Sequence, residues 1–251
     1  MTAGPGRGPE IEAYLAELVA RLRAVLGERL TGAWLFGSGA LGDFDPARSD
    51  LDVQAVTTVP VARSERERLA VVLSHEALPC PVRGLEFVLY PREGLEDAAG
   101  PAFQLNLNTG PGMERHVAFD AAGDPRFWFV LDVAIGREAG RALSGPPAAE
   151  VFPAPPRGLV LLALGEALAW FREHDADGAS TVLAACRAWA WAQDGRWLPK
   201  GEAARWAMGR LDDPSAVGAA LARRSDPAAP APDPAGVAEV VGRAGAALGG
   251  G

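Results

Sequence analysis

The chain has two cysteines, three histidines and a single lysine among 251 residues. Cys80 and Cys186 stand far apart with no CxxC spacing, which argues against a disulfide framework or a thiolate zinc site. His75, His116 and His174 lack metal-ligand spacing and are expected at the surface or in loops. No apolar run reaches the roughly 18 residues that a membrane span needs. The opening MTAGPGRGPEIEAYL has no apolar stretch behind a basic segment, so no secretory leader is expected, and the chain is expected in the cytoplasm. Positive charge is also short. The formal net charge of −8 argues against a nucleic-acid partner and suits a cationic small molecule. What remains is an ordinary globular composition, 49% hydrophobic, with much of its glycine and proline at the ends and in two internal breaks.

Residues 9–27 carry Ile11, Leu15, Leu18, Leu22 and Leu26 at helical spacing. GAWLFGS (32–38) reads as a short strand ending in a glycine turn, and DLDVQAV (50–56) alternates as a strand does. SERERLAVVLSHEAL (64–78) reads as a helix with Ser64 as its cap and Glu67 three residues on. RGLEFVLYP supplies another strand, 101–125 reads as loop, and 127–143 as helix. Five prolines in 144–158 mark the domain boundary, giving 1–148 and 149–251. Beyond it the pattern is helical to a frayed tail at 244–251. The fold expected is α/β plus all-α: a mixed β-sheet with helices, then a helical bundle.

Asp50 and Asp52 lie two apart on a strand and face one side, roughly 7 Å apart. That spacing suits oxygen ligands for a hard cation such as Mg²⁺, which takes one or two carboxylates and fills its shell with phosphate oxygens and water. Gly37 and Ser38 end the preceding strand where glycine lets backbone approach a phosphate. Glu86 shares a strand face with Val88 and Tyr90. If that strand neighbours the second, Glu86 joins the two aspartates, and three converging carboxylates call for a cationic partner, Mg²⁺ carrying a nucleotide. Asp43 and Asp45, in GDFDP, read as turn residues.

A glycine–serine turn, about a dozen residues, D-x-D and a later acidic strand residue resemble the nucleotidyltransferase superfamily. LFGSGALGDFDPARSDLDVQAV, with VLAACRAWAWAQDGRWLPKGEAARWAMGRL downstream, resembles the aminoglycoside adenylyltransferases that modify streptomycin and spectinomycin. The resemblance implies an N-terminal nucleotidyltransferase domain and AMP transfer from ATP to an antibiotic hydroxyl, with the acceptor in an interdomain cleft of a monomer. It implies that Ser38 and Ser49 contact the triphosphate and that Asp50 and Asp52, with Glu86, hold magnesium. Glu86 would be the general base, and Arg187 and Lys200 would bind phosphates. Lys200 is the sole lysine beside 23 arginines, and its compact ammonium is not reproduced by a guanidinium.

On the acceptor side the resemblance implies Asp177, which could equally cap the helix starting near Gly178, with Glu173 nearby. Asn108 stands where streptomycin-modifying members carry Trp, and the last helix lacks the family's tyrosine. Trp170, Trp189, Trp191, Trp197 and Trp206 read mostly as helical core. Two other readings stay open: the same chemistry on another small molecule, a protein or tRNA, and a non-catalytic nucleotide-binding regulator.

Overall fold

The computed structural model describes residues 8–97 and 100–250. The first seven residues of the N-terminal stretch read for a leader, and the final residue of the tail, lie outside them. Two compact units divide between Pro155 and Pro156.

The first unit begins with α1 (Pro9–Leu26). Pro9 suits the first helical turn, Glu10 and Glu12 sit at its positive end, and Arg23 lies in the last turn. The helix ends where Gly27 adopts a positive φ of 56°. It is followed by β1 (Leu30–Leu35), α2 (Gly37–Leu41), β2 (Leu51–Thr57), α3 (Arg63–Val72) and β3 (Leu85–Pro91). Then come β4 (Leu105–Thr109), β5 (His116–Ala118), α4 (Arg126–Ala139), β6 (Arg141–Ser144) and α5 (Ala148–Val151). The strands form one sheet in the order β5-β4-β3-β2-β1-β6, with β2 and β3 parallel and the other neighbours antiparallel.

Alternation splits the sheet into two faces. Leu51, Val53, Ala55, Leu85, Phe87, Leu89, Leu105 and Leu107 join the buried residues of α1 and α3 in one core. Val56, Val88 and Tyr90 join Trp34, Phe36, Phe129, Val133 and Phe152 in a second. Trp34 is fully buried and satisfies its indole N–H on the Pro146 carbonyl at 2.9 Å. Ala148, Val151 and Phe152 also belong to this second core, so the division lies a little beyond the expected cut after 148.

Several local expectations need correction. The stretch 101–125 is not a loop but holds β4 and β5. Leu105 and Leu107 alternate with Gln104, Asn106 and Asn108, a strand period carried by residues of low β-propensity. The helix expected over 127–143 stops at Ala139, and Arg141–Ser144 instead adds β6 to the free side of β1. The glycine turn after β1 is a single short helix, α2. Helix α3 is capped at Ala62 rather than Ser64: Glu65 accepts the Ala62 N–H at 3.2 Å and pairs with Arg29, which with that bond holds its carboxyl at about 2. The histidine expectation holds: His116, on β5, and His174, at the end of a helix, are both exposed.

The second unit contains α6 (Arg157–His174), α7 (Ala179–Asp194), α8 (Lys200–Met208), α9 (Ser215–Ser225) and α10 (Pro234–Gly249). The tail expected to fray is helical to Gly249. Helix α7 packs against each of the other four. Its alanines, from Ala179 to Ala192, allow that close approach, while Trp189, Trp191 and Trp197 fill the core. Trp206 and Trp170 are only partly buried. Trp206 stands edge-on to Trp189 and donates to Asp194 at 2.8 Å, and Trp170 stacks on His174.

Candidate active site

The parallel register of β2 and β3 sets Asp52 opposite Glu86, and the antiparallel register of β3 and β4 sets Glu86 opposite Asn108. One strand further, Asn108 faces His116. A row of polar side chains therefore crosses four strands at the end of a face that continues with buried Gln54 and Asn106 and then with Val56, Val88 and Tyr90 of the second core. Asp52, Glu86 and Asn108 are all half-buried. The sequence left the neighbour of β3 open, and pairing with β2 is what brings the two carboxylates together.

Gly37 closes over this row. Its φ of 57° lies in the left-handed region, and a Cβ added there would overlap the Asp52 carboxylate. The Phe36 N–H donates to the Asp52 carbonyl at 2.8 Å, which fixes the turn to the strand. Beside it, the Ser38 hydroxyl oxygen is buried with no hydrogen-bond partner among the described residues. A buried hydroxyl without a partner costs stability unless a ligand supplies one.

Asp50 precedes β2, and its Oδ2 accepts from Arg83 Nη1 at 2.8 Å. The next residue, Leu51, donates its N–H to the Gly84 carbonyl at 2.9 Å. Ser49 closes a turn: its hydroxyl accepts the Asp45 N–H at 3.0 Å, and its own N–H donates to the Asp45 carbonyl at 2.7 Å. Asp45 also accepts the Ala47 N–H and pairs with Arg48, as turn chemistry requires.

Among the described residues, no three His, Cys, Asp or Glu side chains are gathered to hold a metal unaided. Magnesium does not need such a cage, because it retains waters and takes phosphate oxygens beside one or two carboxylates. The donor set here is hard oxygen, the backbone beside Asp52 is shaped by a glycine, and a hydroxyl waits unpaired next to it. These features fit Mg²⁺ bound together with a phosphate group.

The remaining expected residues belong to the second unit. Arg187 is half-buried on α7, and Lys200 is the first residue of α8, immediately after Pro199. Lys200 lines a pocket of about 250 Å³ together with Asp175, Asp177, Arg223 and Arg224. Asp177 accepts the Ala179 N–H at 3.0 Å and pairs with Arg223. The Arg223 bond and then that backbone bond hold its carboxyl below the ordinary range. Of the two readings open for Asp177, the helix-capping one is thus visible. Asp175 shares the task, accepting from both the N–H (2.7 Å) and the hydroxyl (2.9 Å) of Thr181. Glu173 is exposed near the end of α6.

Sequence reading missed Arg83, Asp175, and the pair of His116 with Asp124, whose closest approach is 3.1 Å. None of them had a local signal. Each gains its role from a partner supplied by the fold.

Residues 150–227 match the profile of the aminoglycoside adenylyltransferase C-terminal domain. The chain is 31% identical over 215 residues to an aminoglycoside (3'')(9) adenylyltransferase of Shigella flexneri and equally to one of Escherichia coli, with 80% of each chain covered. A Klebsiella pneumoniae protein of the same description is 30% identical over the same length. In fold it resembles the crystal structure of spectinomycin adenyltransferase AAD(9) from Enterococcus faecialis with ATP and spectinomycin. The TM-score is 0.68 at 16% identity, covering 94% of this chain and 98% of that one.

Proposed function

The chain belongs to the aminoglycoside adenylyltransferase family, and from that premise we propose that it transfers AMP from Mg·ATP to a hydroxyl of spectinomycin or a related aminocyclitol antibiotic, releasing pyrophosphate and conferring resistance. The observation that carries this reading is the register of Asp52 against Glu86, with Gly37 closed over Asp52.

In this reading Glu86 takes the proton of the acceptor hydroxyl as its oxygen bonds to the α-phosphorus, and the bond from that phosphorus to the pyrophosphate oxygen breaks. Asp50 and Asp52, with Glu86 beside them, would hold Mg²⁺. When bound, the metal neutralises charge on the attacking and leaving oxygens. Gly37 and the unpaired hydroxyl of Ser38 receive phosphate oxygens, and Ser49 assists by holding the turn before Asp50. Lys200 and Arg187 offset charge on the departing phosphates. Asn108, next to Glu86 in the row, is the acceptor contact we favour. Asp177 and Glu173 complete a cationic acceptor's surroundings only if Asp177 exchanges its Arg223 partner. Use of ATP makes the cytoplasm the compartment of this reaction. The single chain carries every residue assigned, and no described helix is long and apolar enough to cross a membrane.

The test is incubation with Mg·ATP and spectinomycin, streptomycin or no acceptor, followed by mass spectrometry of the antibiotic. We expect spectinomycin to gain one AMP and streptomycin, which meets Asn108 where a Trp would stand, to gain it poorly or not at all. ATP binding with no product from either antibiotic would overturn the acceptor assignment.

A further inference from the structure

Arg83 is absent from every role assigned above, yet its guanidinium sits on a carboxylate that the proposed chemistry requires. Arg83 Nη1 lies 2.8 Å from Asp50 Oδ2, with the Arg83 side chain 47% exposed and that of Asp50 23% exposed. Exposed ion pairs on loose loops are worth little, so the anchoring of this pair decides what it means. The Arg83 carbonyl accepts the Gly112 N–H at 2.9 Å, and the adjoining Gly84 carbonyl accepts the Leu51 N–H at 2.9 Å. A Cβ on Gly110 would overlap Gly84, and one on Gly112 would press on the Arg83 side chain at 2.9 Å. Segment 83–84 is thus stapled to the start of β2 on one side and to the β4–β5 turn on the other. The backbone is fixed and the arginine side chain remains the movable part.

We infer that Arg83 is a resident counter-ion of Asp50, which keeps the carboxylate site from taking a divalent cation until the nucleotide arrives with it. Asp52 stands in register with Glu86, and Asp50 lies two residues before Asp52, so the positive charge of Arg83 on Asp50 offsets part of the negative charge at this end of β2. A cation approaching Asp50 must compete for the same oxygen and is repelled by the guanidinium. A metal arriving on a triphosphate brings excess negative charge, to which the released guanidinium can turn. Arg83 is therefore a positioning residue that couples metal binding to nucleotide binding. This rests on the reading that Asp50 is a metal ligand.

The experiment measures Mn²⁺ binding by electron paramagnetic resonance, with and without ATP and with no acceptor present, in the wild type, Arg83→Gln, Arg83→Lys and Asp50→Asn. Thermal melts confirm folding. Removing one positive charge from beside a divalent cation should tighten Mn²⁺ binding without nucleotide about tenfold. The gap between affinities with and without ATP should shrink in Arg83→Gln. Arg83→Lys, which keeps the charge and loses the planar fork, should fall between the two. It also carries the test should Arg83→Gln fail to fold. Wild-type Mn²⁺ affinity in both Arg83 variants would overturn the inference while leaving the metal site standing. Unchanged Mn²⁺ binding in Asp50→Asn, with ATP present, would overturn the metal role of Asp50 and this inference with it.

Discussion

In the sheet unit, Asp52, Glu86 and Asn108 come from three strands and meet in one row because a parallel and an antiparallel register coincide there. In the helical unit, Asp175 and Asp177 stand close in sequence and both serve the start of α7, binding backbone N–H groups, a threonine hydroxyl and Arg223. The first set faces one way through sheet geometry. The second set is already satisfied and contributes to stability. Acidic residues at a helix entrance thus say less about chemistry than acidic residues repeated across a sheet face.

If that contrast is right, substitutions in the row should remove activity with little loss of stability, and those at the α7 entrance should do the reverse. The largest effect is expected from Asp52→Asn, which should lower AMP transfer about a thousandfold while the melting temperature holds or rises slightly; steady-state pyrophosphate release and a thermal melt check both. Gly37→Ala follows. Its Cβ would displace the Asp52 carboxylate and strain a left-handed φ, lowering kcat/KM about a hundredfold and the melting temperature by a few degrees.

Lys200→Gln should raise the KM for ATP about tenfold with circular dichroism unchanged if, as proposed, it removes one charge-assisted contact to phosphate. The smallest effect belongs to Asp177→Asn, with a loss of about 1 kcal/mol or less in stability, read by urea unfolding. That variant should also flatten the acid limb of the stability curve. Because Arg223 and the Ala179 N–H depress the Asp177 carboxyl in the folded chain, its contribution is complete above the ordinary carboxylate range. It is lost as pH falls through the depressed value. A large activity loss in Asp177→Asn, with stability intact, would collapse the contrast between the units.

The same contrast explains which parts of the molecule were legible in advance. The faces of β2 and β3 follow from period-two alternation, so Asp52 and Glu86 were assigned to the correct sides of their strands, and α1 follows from its leucine spacing. β4 was missed because asparagines alternate with its leucines, and β6 because its four residues take strand geometry only by pairing with β1. The cap of α3 was placed two residues late because Glu65, which bonds the Ala62 N–H, is drawn there by Arg29 from the helical turn between α1 and β1. Arg83 was invisible for the same reason, since its partner lies on another segment of the chain.

The central claim is that the row across β2, β3 and β4 performs acid–base chemistry on a bound acceptor. The most direct test is Glu86→Gln, which keeps the size and strand position of the side chain and removes its basicity. ATP affinity by calorimetry is measured beside single-turnover AMP transfer to spectinomycin. The account predicts ATP binding within about twofold of wild type and a transfer rate reduced about 10²- to 10⁴-fold. Transfer at the wild-type rate in Glu86→Gln would contradict it.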